Sequence, residues 1–265
     1  MRKVGIVMGM KSFVAAACGI VSAASLSAEC WQYVAAGAGD SATWPPVKGG
    51  LALVPFHGGS NGWASAVHAV AVSAVGRARF AASFNFPTNG IASPLAFAGA
   101  ASQEVAHVFV VTRVAALDGF LPTLIDMSPR DLRLRRDRDS GAWAFEGSPN
   151  CRVSVNGVDT DAFGVSPKFQ LVEIDFEPAV GAGGLRLFNS AGRPEWKRNW
   201  RGDVGEVVAC TEAPTRAQRQ CLLNYFHAKW GVPAAFDVRG VNVIGELKAM
   251  GVDHGGVFAT LVIVR

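Results

Sequence analysis

Three carboxylates stand at alternate positions in Glu173-Ile174-Asp175-Phe176-Glu177. Side chains alternate along a β-strand, so all three share one face while Val172, Ile174 and Phe176 share the other. Paired carboxylates hydrolyse glycosidic bonds, one as nucleophile and one as acid/base, and a retaining enzyme holds them about 5–5.5 Å apart. Glu173 and Glu177 on one strand are farther apart than that unless their side chains converge. The same alternation describes an outer face of solvated carboxylates over an apolar core face. This plainer reading is preferred, because the strand pattern alone predicts it.

Other reactive groups lack the context their chemistry needs. Gly58-Gly59-Ser60-Asn61-Gly62 has the spacing of a nucleophile elbow. An elbow joins a strand to a helix in an α/β sheet, a rhythm this chain lacks, and a glycine-rich loop accounts for it better. His57, His68, His107, His227 and His254 show no metal-ligand spacing, and no metal site is expected. His107 falls in an apolar run, where a hydrogen-bonded core or edge histidine is the better reading than a catalytic base. Arg201-Gly202-Asp203 could address an integrin only from an exposed loop, but it opens a strand-like run. Trp31, Trp44, Trp63 and Trp196 fall in expected loops and could stack on the apolar face of a sugar ring. Ordinary loop packing competes with that role and is favoured, since large aromatics usually anchor cores.

The elements that would position these groups are mostly strands. Val105 to Val114, Pro122 to Met127, Leu132 to Arg135, Ala142 to Phe145, Arg152 to Val155, Phe169 to Phe176, Leu185 to Phe188 and Asp203 to Ala209 all read as strands. Leu51 to Phe56 is a short one. Ala64 to Ala82 fits neither period, although its valines favour a strand. Pro87 to Gly90 and Asp137 to Gly141 are expected turns, and Asn156-Gly157 is a strong hairpin signal. One helix is convincing. Thr215 with Gln218 forms a capping box, Ala217, Cys221, Leu222, Tyr225, Phe226 and Trp230 share a face, and Gly231 and Pro233 stop it. Phe236 to Ile244 and Val257 to Val264 again look like strands. Many strands, one late helix and no βαβ rhythm predict an all-β protein, an antiparallel two-sheet sandwich.

Composition agrees. The chain has 265 residues, 50% hydrophobic and 17% charged, with 30 Gly and 13 Pro. That excludes a disordered chain, favours short strands, and is large enough for a full core. The net charge of +4 is not gathered into a basic block, which argues against nucleic acid and other polyanions as partners. Residues 1–28 read as a secretory signal: Arg2, Lys3 and Lys11, an apolar run from Ser12 to Leu26, then small residues. An uncleaved anchor and lipidation at Cys18 are the less favoured alternatives. No later stretch is apolar enough to span a bilayer, so a secreted or envelope location is expected. Cys30, Cys151, Cys210 and Cys221 then allow two disulfides in three connectivities, or buried free thiols. Cys210 with Cys221 is the favoured pair, since it would pin the helix to the preceding strand.

Trp200-Arg201-Gly202-Asp203-Val204-Gly205-Glu206-Val207-Val208 resembles the "W-x-G-x-[IV]-[AG]-E-[VI]" strand of the concanavalin A-like lectin/glucanase superfamily, in its laminin-G-like form. Pro214 to Gly231, ending in Lys229-Trp230-Gly231, resembles the helix that follows that strand. Phe97-Ala98-Gly99 and Val155-Asn156-Gly157-Val158 resemble its "F-x-G" and "V-N-G" segments, in the right order. The resemblance implies a jelly-roll domain over 29–231, with 232–265 as a strand-rich extension, and structural roles for Trp200 and Trp230. It allows Ca2+, although the family's calcium-binding acidic residues find no match here. It implies a non-catalytic module that binds a glycan or another surface ligand, or serves a structural role. A first alternative is a family-16-like glycoside hydrolase, with Glu173 as nucleophile, Asp175 as pKa modulator and Glu177 as acid/base. A second is an adhesion module for a surface protein.

Overall fold

The computed structural model describes residues 28–56, 67–84, 94–99, 102–114, 122–127, 131–136, 142–146, 151–189, 198–234, 237, 242–255 and 257. The expected leader up to residue 27, the Gly58 to Gly62 stretch, Trp63, Trp196, the turns at Pro87 to Gly90 and Asp137 to Gly141, Phe236 and the run from 258 onward lie outside them.

The described residues form two antiparallel sheets and two helices. The first sheet holds β1 (Cys30–Val34), β2 (Gly39–Ser41), β4 (Val67–Ala74), β5 (Arg77–Ser83), β7 (Glu104–Val114), β11 (Cys151–Val155), β12 (Val158–Asp159), β14 (Ser166–Gly181) and β16 (Asp203–Cys210). Its order is β12-β11-β14-β7-β16-β5-β4-β2, with β1 also paired to β16. The second sheet runs β13 (Ala162–Phe163), β10 (Trp143–Glu146), β9 (Asp131–Arg136), β8 (Thr123–Asp126), β15 (Arg186–Leu187), β6 (Leu95–Phe97), β3 (Leu53–Pro55). From β5 onward the chain passes repeatedly from one sheet to the other, so the core between the sheets is built from strands distant in sequence. The all-β sandwich with a late helix is therefore present.

Two apolar layers flank the first sheet. Val108, Val110, Val172, Ile174 and Trp200 belong to the core between the sheets. Phe109, Val111, Phe169, Leu171 and Val208 belong to a second core beneath the helices α1 (Arg216–Trp230) and α2 (Val243–Ala249). β7 is buried on both faces, which explains its dense Val and Phe content without polar alternation. Trp200 is fully buried, donates its indole N–H to Thr112 Oγ1 at 2.9 Å, and stacks with Phe145. The ambiguous Ala64 to Ala82 segment contains the β4–β5 hairpin, whose turn residues Val75 and Gly76 both have positive φ, 52° and 68°.

Helix α1 forms as its capping signals dictate. Thr215 Oγ1 accepts from the Gln218 N–H, the Gln218 side chain accepts from the Thr215 N–H, and Gly231 closes the helix at φ 71°. Ala217 is exposed, but the other predicted face residues are buried. What fixes the helix to the sheet is a buried carboxylate. Glu206, on β16 and 0% exposed, accepts from Gln32 Nε2 (2.5 Å), Tyr225 Oη (2.8 Å), Lys229 Nζ (2.8 Å) and Trp230 Nε1 (2.7 Å). Burial, and next the charge of Glu206, raise the Tyr225 pKa well above the usual phenol value, so it stays a donor. Beside it Gly205 leaves room for the Trp230 ring: a Cβ there would lie 2.7 Å from an indole carbon.

Two expectations are corrected. Cys210 bonds Cys30, not Cys221. β1 pairs with β16 in a register that sets Cys30 directly opposite Cys210, with Cα atoms 4.0 Å apart, while Cys221 is a buried free thiol on α1. Burial pushes the Cys221 thiol up to about 11 and Cys151 up to about 12, so both stay protonated. The segment from Val243 to Ala249, expected to begin as a strand, is helix α2. After residue 231, Leu247, Met250 and Val252 are buried in the same core as Tyr225 and Trp230. No described helix is long and apolar enough to cross a membrane.

Two substitutions test this architecture. Val75 is a β-branched residue at positive φ in a two-residue hairpin turn, where Asn-Gly is the preferred pair. Val75→Asn should stabilise the protein by about 1 kcal/mol in urea unfolding; a lower midpoint would contradict the turn. Gly205→Ala should cost about 1–3 kcal/mol through collision with Trp230, and an unchanged midpoint would mean the indole does not rest there.

Candidate functional site

The outer face of the first sheet is not wholly covered by the helices. Near the start of α1 it leaves a polar cleft of about 550 Å3, lined by β7, β11, β12, β14 and the Ala213 to Arg219 segment. Its floor consists of two rows that cross three strands. Arg152 on β11 lies opposite Asp175 on β14, which lies opposite His107 on β7. The next row is Ser154, Glu173 and Phe109. The Asn156-Gly157 hairpin folds β12 back and brings Asp159 to the same wall.

Each carboxylate in the cleft faces a basic group. The Arg219 guanidinium, from the first turn of α1, binds both oxygens of Glu173: Nε to Oε2 at 2.6 Å and Nη2 to Oε1 at 2.9 Å. Nη2 also reaches the Gly157 carbonyl at 3.4 Å. Arg152 donates to Asp159 Oδ2 through Nη2 (2.6 Å) and Nε (3.1 Å). That hydrogen bond, with the charge of Arg152, lowers the Asp159 pKa. Asp175 Oδ1 lies 3.7 Å from His107 Nδ1. That distance is long for a hydrogen bond, but the polar contact with His107 and, more weakly, the charge of Arg152 hold the Asp175 carboxyl below its ordinary value.

Two groups remain uncommitted. His107 is 7% exposed, its ring stacks on Phe109, and its Nε2 has no hydrogen-bond partner. The nearest carboxylate oxygen, Glu173 Oε2, is 4.0 Å away. Arg216 is exposed at the mouth and makes no ion pair among the described residues. Among the described residues no serine or thiol lies within hydrogen-bond reach of His107 Nε2.

The candidates from sequence fare differently. Glu173 and Asp175 both line the cleft, whereas Glu177 is exposed outside it, where the β14–β7 ladder slips between Asp175 and Val180. The solvated carboxylate face is corrected at Glu173, which is 2% exposed and ion-paired. Trp31 lies in β1 rather than in a loop. It is 2% exposed, with its ring edge-on to Phe97, and Trp44 is 3% exposed against Tyr33, so neither offers a face to a sugar. Asp203 opens β16, and Gly202 is packed just before it. A Cβ on Gly202 would collide with the Arg113 carbonyl, and Asp203 pairs with Arg113 at 2.8 Å. Among the described residues no three His, Cys, Asp or Glu gather as metal ligands.

Sequence reasoning missed Arg152, Arg216 and Arg219. Their signal was present but faint: Arg152 and Ser154 alternate just before a hairpin turn, and two arginines occupy a first helical turn, where acidic residues are favoured.

Removing one partner of a buried pair strands the other charge. Arg219→Met should cost about 2–4 kcal/mol, at the low side for such pairs because the Arg219 side chain is 35% exposed. Adding Glu173→Met should recover most of the loss in thermal unfolding. A double variant no better than the single would mean the pair is not coupled.

No protein-family model matches the chain, and neither a curated protein nor a solved structure matches it, so nothing outside the molecule assigns the cleft a ligand.

Proposed function

We propose that this chain is a non-catalytic, exported binding module of the jelly-roll type that takes a glycan, on the concanavalin A-like pattern its sequence resembles. The observation that carries this reading is the state of the cleft carboxylates. Glycoside hydrolysis needs one carboxyl group that can give a proton and another free to attack. Glu173 has both oxygens bound by Arg219, Asp175 is held charged beside His107, and Glu177 is outside the cleft. A cleft whose acids are engaged by bases, yet which still presents arginine, histidine and serine, is suited to recognition of a polyhydroxylated ligand. The Cys30–Cys210 disulfide accords with an oxidising compartment.

The test is a glycan array probed with the purified protein, with and without Ca2+, and scored for cleavage. Binding without cleavage is expected. Glycan cleavage would overturn the reading in favour of the hydrolase. Silence on the array would overturn it in favour of a protein-binding or structural role.

A further inference from the structure

Within the cleft, the geometry points to a site for one anionic sugar, a saccharide bearing a carboxylate or a sulfate ester. Arg216 would meet the anionic group, and the His107 Nε2 would bond a ligand oxygen on the floor. This inference rests on the glycan-binding reading and adds the ligand's charge and the residues that read it.

Three observations carry it. The first is charge balance. Arg152, Arg216 and Arg219 line the cleft with Asp159, Glu173 and Asp175. Two of the arginines are committed, Arg219 to Glu173 and Arg152 to Asp159. The third carboxylate faces His107. The three arginines and three carboxylates balance in number, but Arg216 alone forms no ion pair among the described residues, so its guanidinium is open to a ligand. The count of charges along the chain weighs against a polyanion partner, but it does not register an unpaired cation placed by distant segments.

The second observation is the unsatisfied floor. A buried polar atom without a partner costs desolvation free energy that a ligand atom can recover. His107 Nε2 is such an atom, in a ring that is 7% exposed and fixed by stacking on Phe109 at 4.4 Å. Its partner can be a sugar hydroxyl or an anionic oxygen, according to the proton it carries.

The third is the position of Arg216 itself. It is the first residue of α1, whose first turn contains no acidic side chain. A cation there is disfavoured by the positive end of the helix, whereas a bound anion is favoured by both. Guanidinium groups bind carboxylate and sulfate oxygens through paired N–H donors, which suits one localised charge better than diffuse hydroxyls.

The test measures binding of trigalacturonate, a sulfated carrageenan disaccharide that contains no uronic acid, and neutral maltotriose by calorimetry. The wild type should prefer at least one acidic probe, and which one tells carboxylate from sulfate. Arg216→Glu should weaken that binding by about tenfold or more, and Arg216→Lys should retain part of it. Arg77→Glu, at an exposed site on β5 outside the cleft, makes the same change in net charge and should have little effect. The His107 ring signals should shift on addition of the acidic probe, with the other histidines unchanged. Equal loss in both charge-reversal variants would overturn the site, leaving only long-range attraction to a basic protein. Preference for maltotriose, with Arg216→Glu unaffected, would overturn the anionic site and leave the glycan-binding reading standing. If no saccharide binds here or on the array, both fall together.

Discussion

Glu206 is the point on which the rest of the structure hangs. A carboxylate buried without partners is intolerable in a protein interior, so its position commits everything around it. Here it commits four donors from two segments: Gln32 of β1, and Tyr225, Lys229 and Trp230 of α1. The network extends further. Gln32 also donates to the Asp253 carbonyl and accepts from its N–H, which ties the C-terminal segment to the first strand. Tyr225 accepts from Lys229 at 2.5 Å while donating to Glu206. Such a network contributes more to specificity than to net stability, because the ions must first be desolvated. It dictates where α1 lies on the sheet and in which rotation.

That rotation is what creates the cleft. Arg216 and Arg219 sit some ten to fourteen residues before Lys229 and Trp230, about 15–20 Å along a helix axis. With the far end of α1 fixed by Glu206, the near end is placed over the β11–β14–β7 rows, where Arg219 meets Glu173. The C-terminal half is thus an anchor buried in apolar and polar contacts, and the N-terminal turn is a platform at the edge of solvent. The Cys30–Cys210 bridge acts at the same place from below. It fastens β1 to the strand that carries Glu206 and closes a separation of 180 residues, a loop long enough to restrict the unfolded chain substantially.

What could be read from the sequence follows the range of the interactions. Helix α1 was legible to the residue, because the Thr215–Gln218 box and the Gly231 cap act within a few positions. The Asn156-Gly157 hairpin was legible for the same reason. The β4–β5 turn was not, because Val75 occupies a left-handed position that its type resists. Cys30 with Cys210 was illegible because it depends on strand register, a long-range property with no local trace. The tryptophan expectations failed similarly. Trp31 follows a loop-rich reading of its neighbours, but pairing to β16 turns the segment into a strand and its ring into the core. Of the cleft, only the β14 carboxylates were visible, since alternation is local, whereas their arginine partners come from a hairpin and a helix.

Those partners change what the carboxylates mean. Glu173 and Asp175 resemble catalytic acids only while they are considered along one strand. Across the strands, Asp175 lies between Arg152 and His107, and Glu173 lies beneath Arg219. A general acid requires surroundings that favour its neutral form, and here the neighbours favour charge. The same neighbours make a good receptor: their geometry is fixed before any ligand arrives, so little ordering remains to oppose binding. Arg216 stands apart from this mutual neutralisation, at a helix terminus that already carries positive character. Nothing within the described fold balances it, and stability alone would favour an acidic residue in its place. A first turn built against its own dipole, above a floor with one unbonded ring nitrogen, is understandable as the half of an interaction whose other half is the ligand.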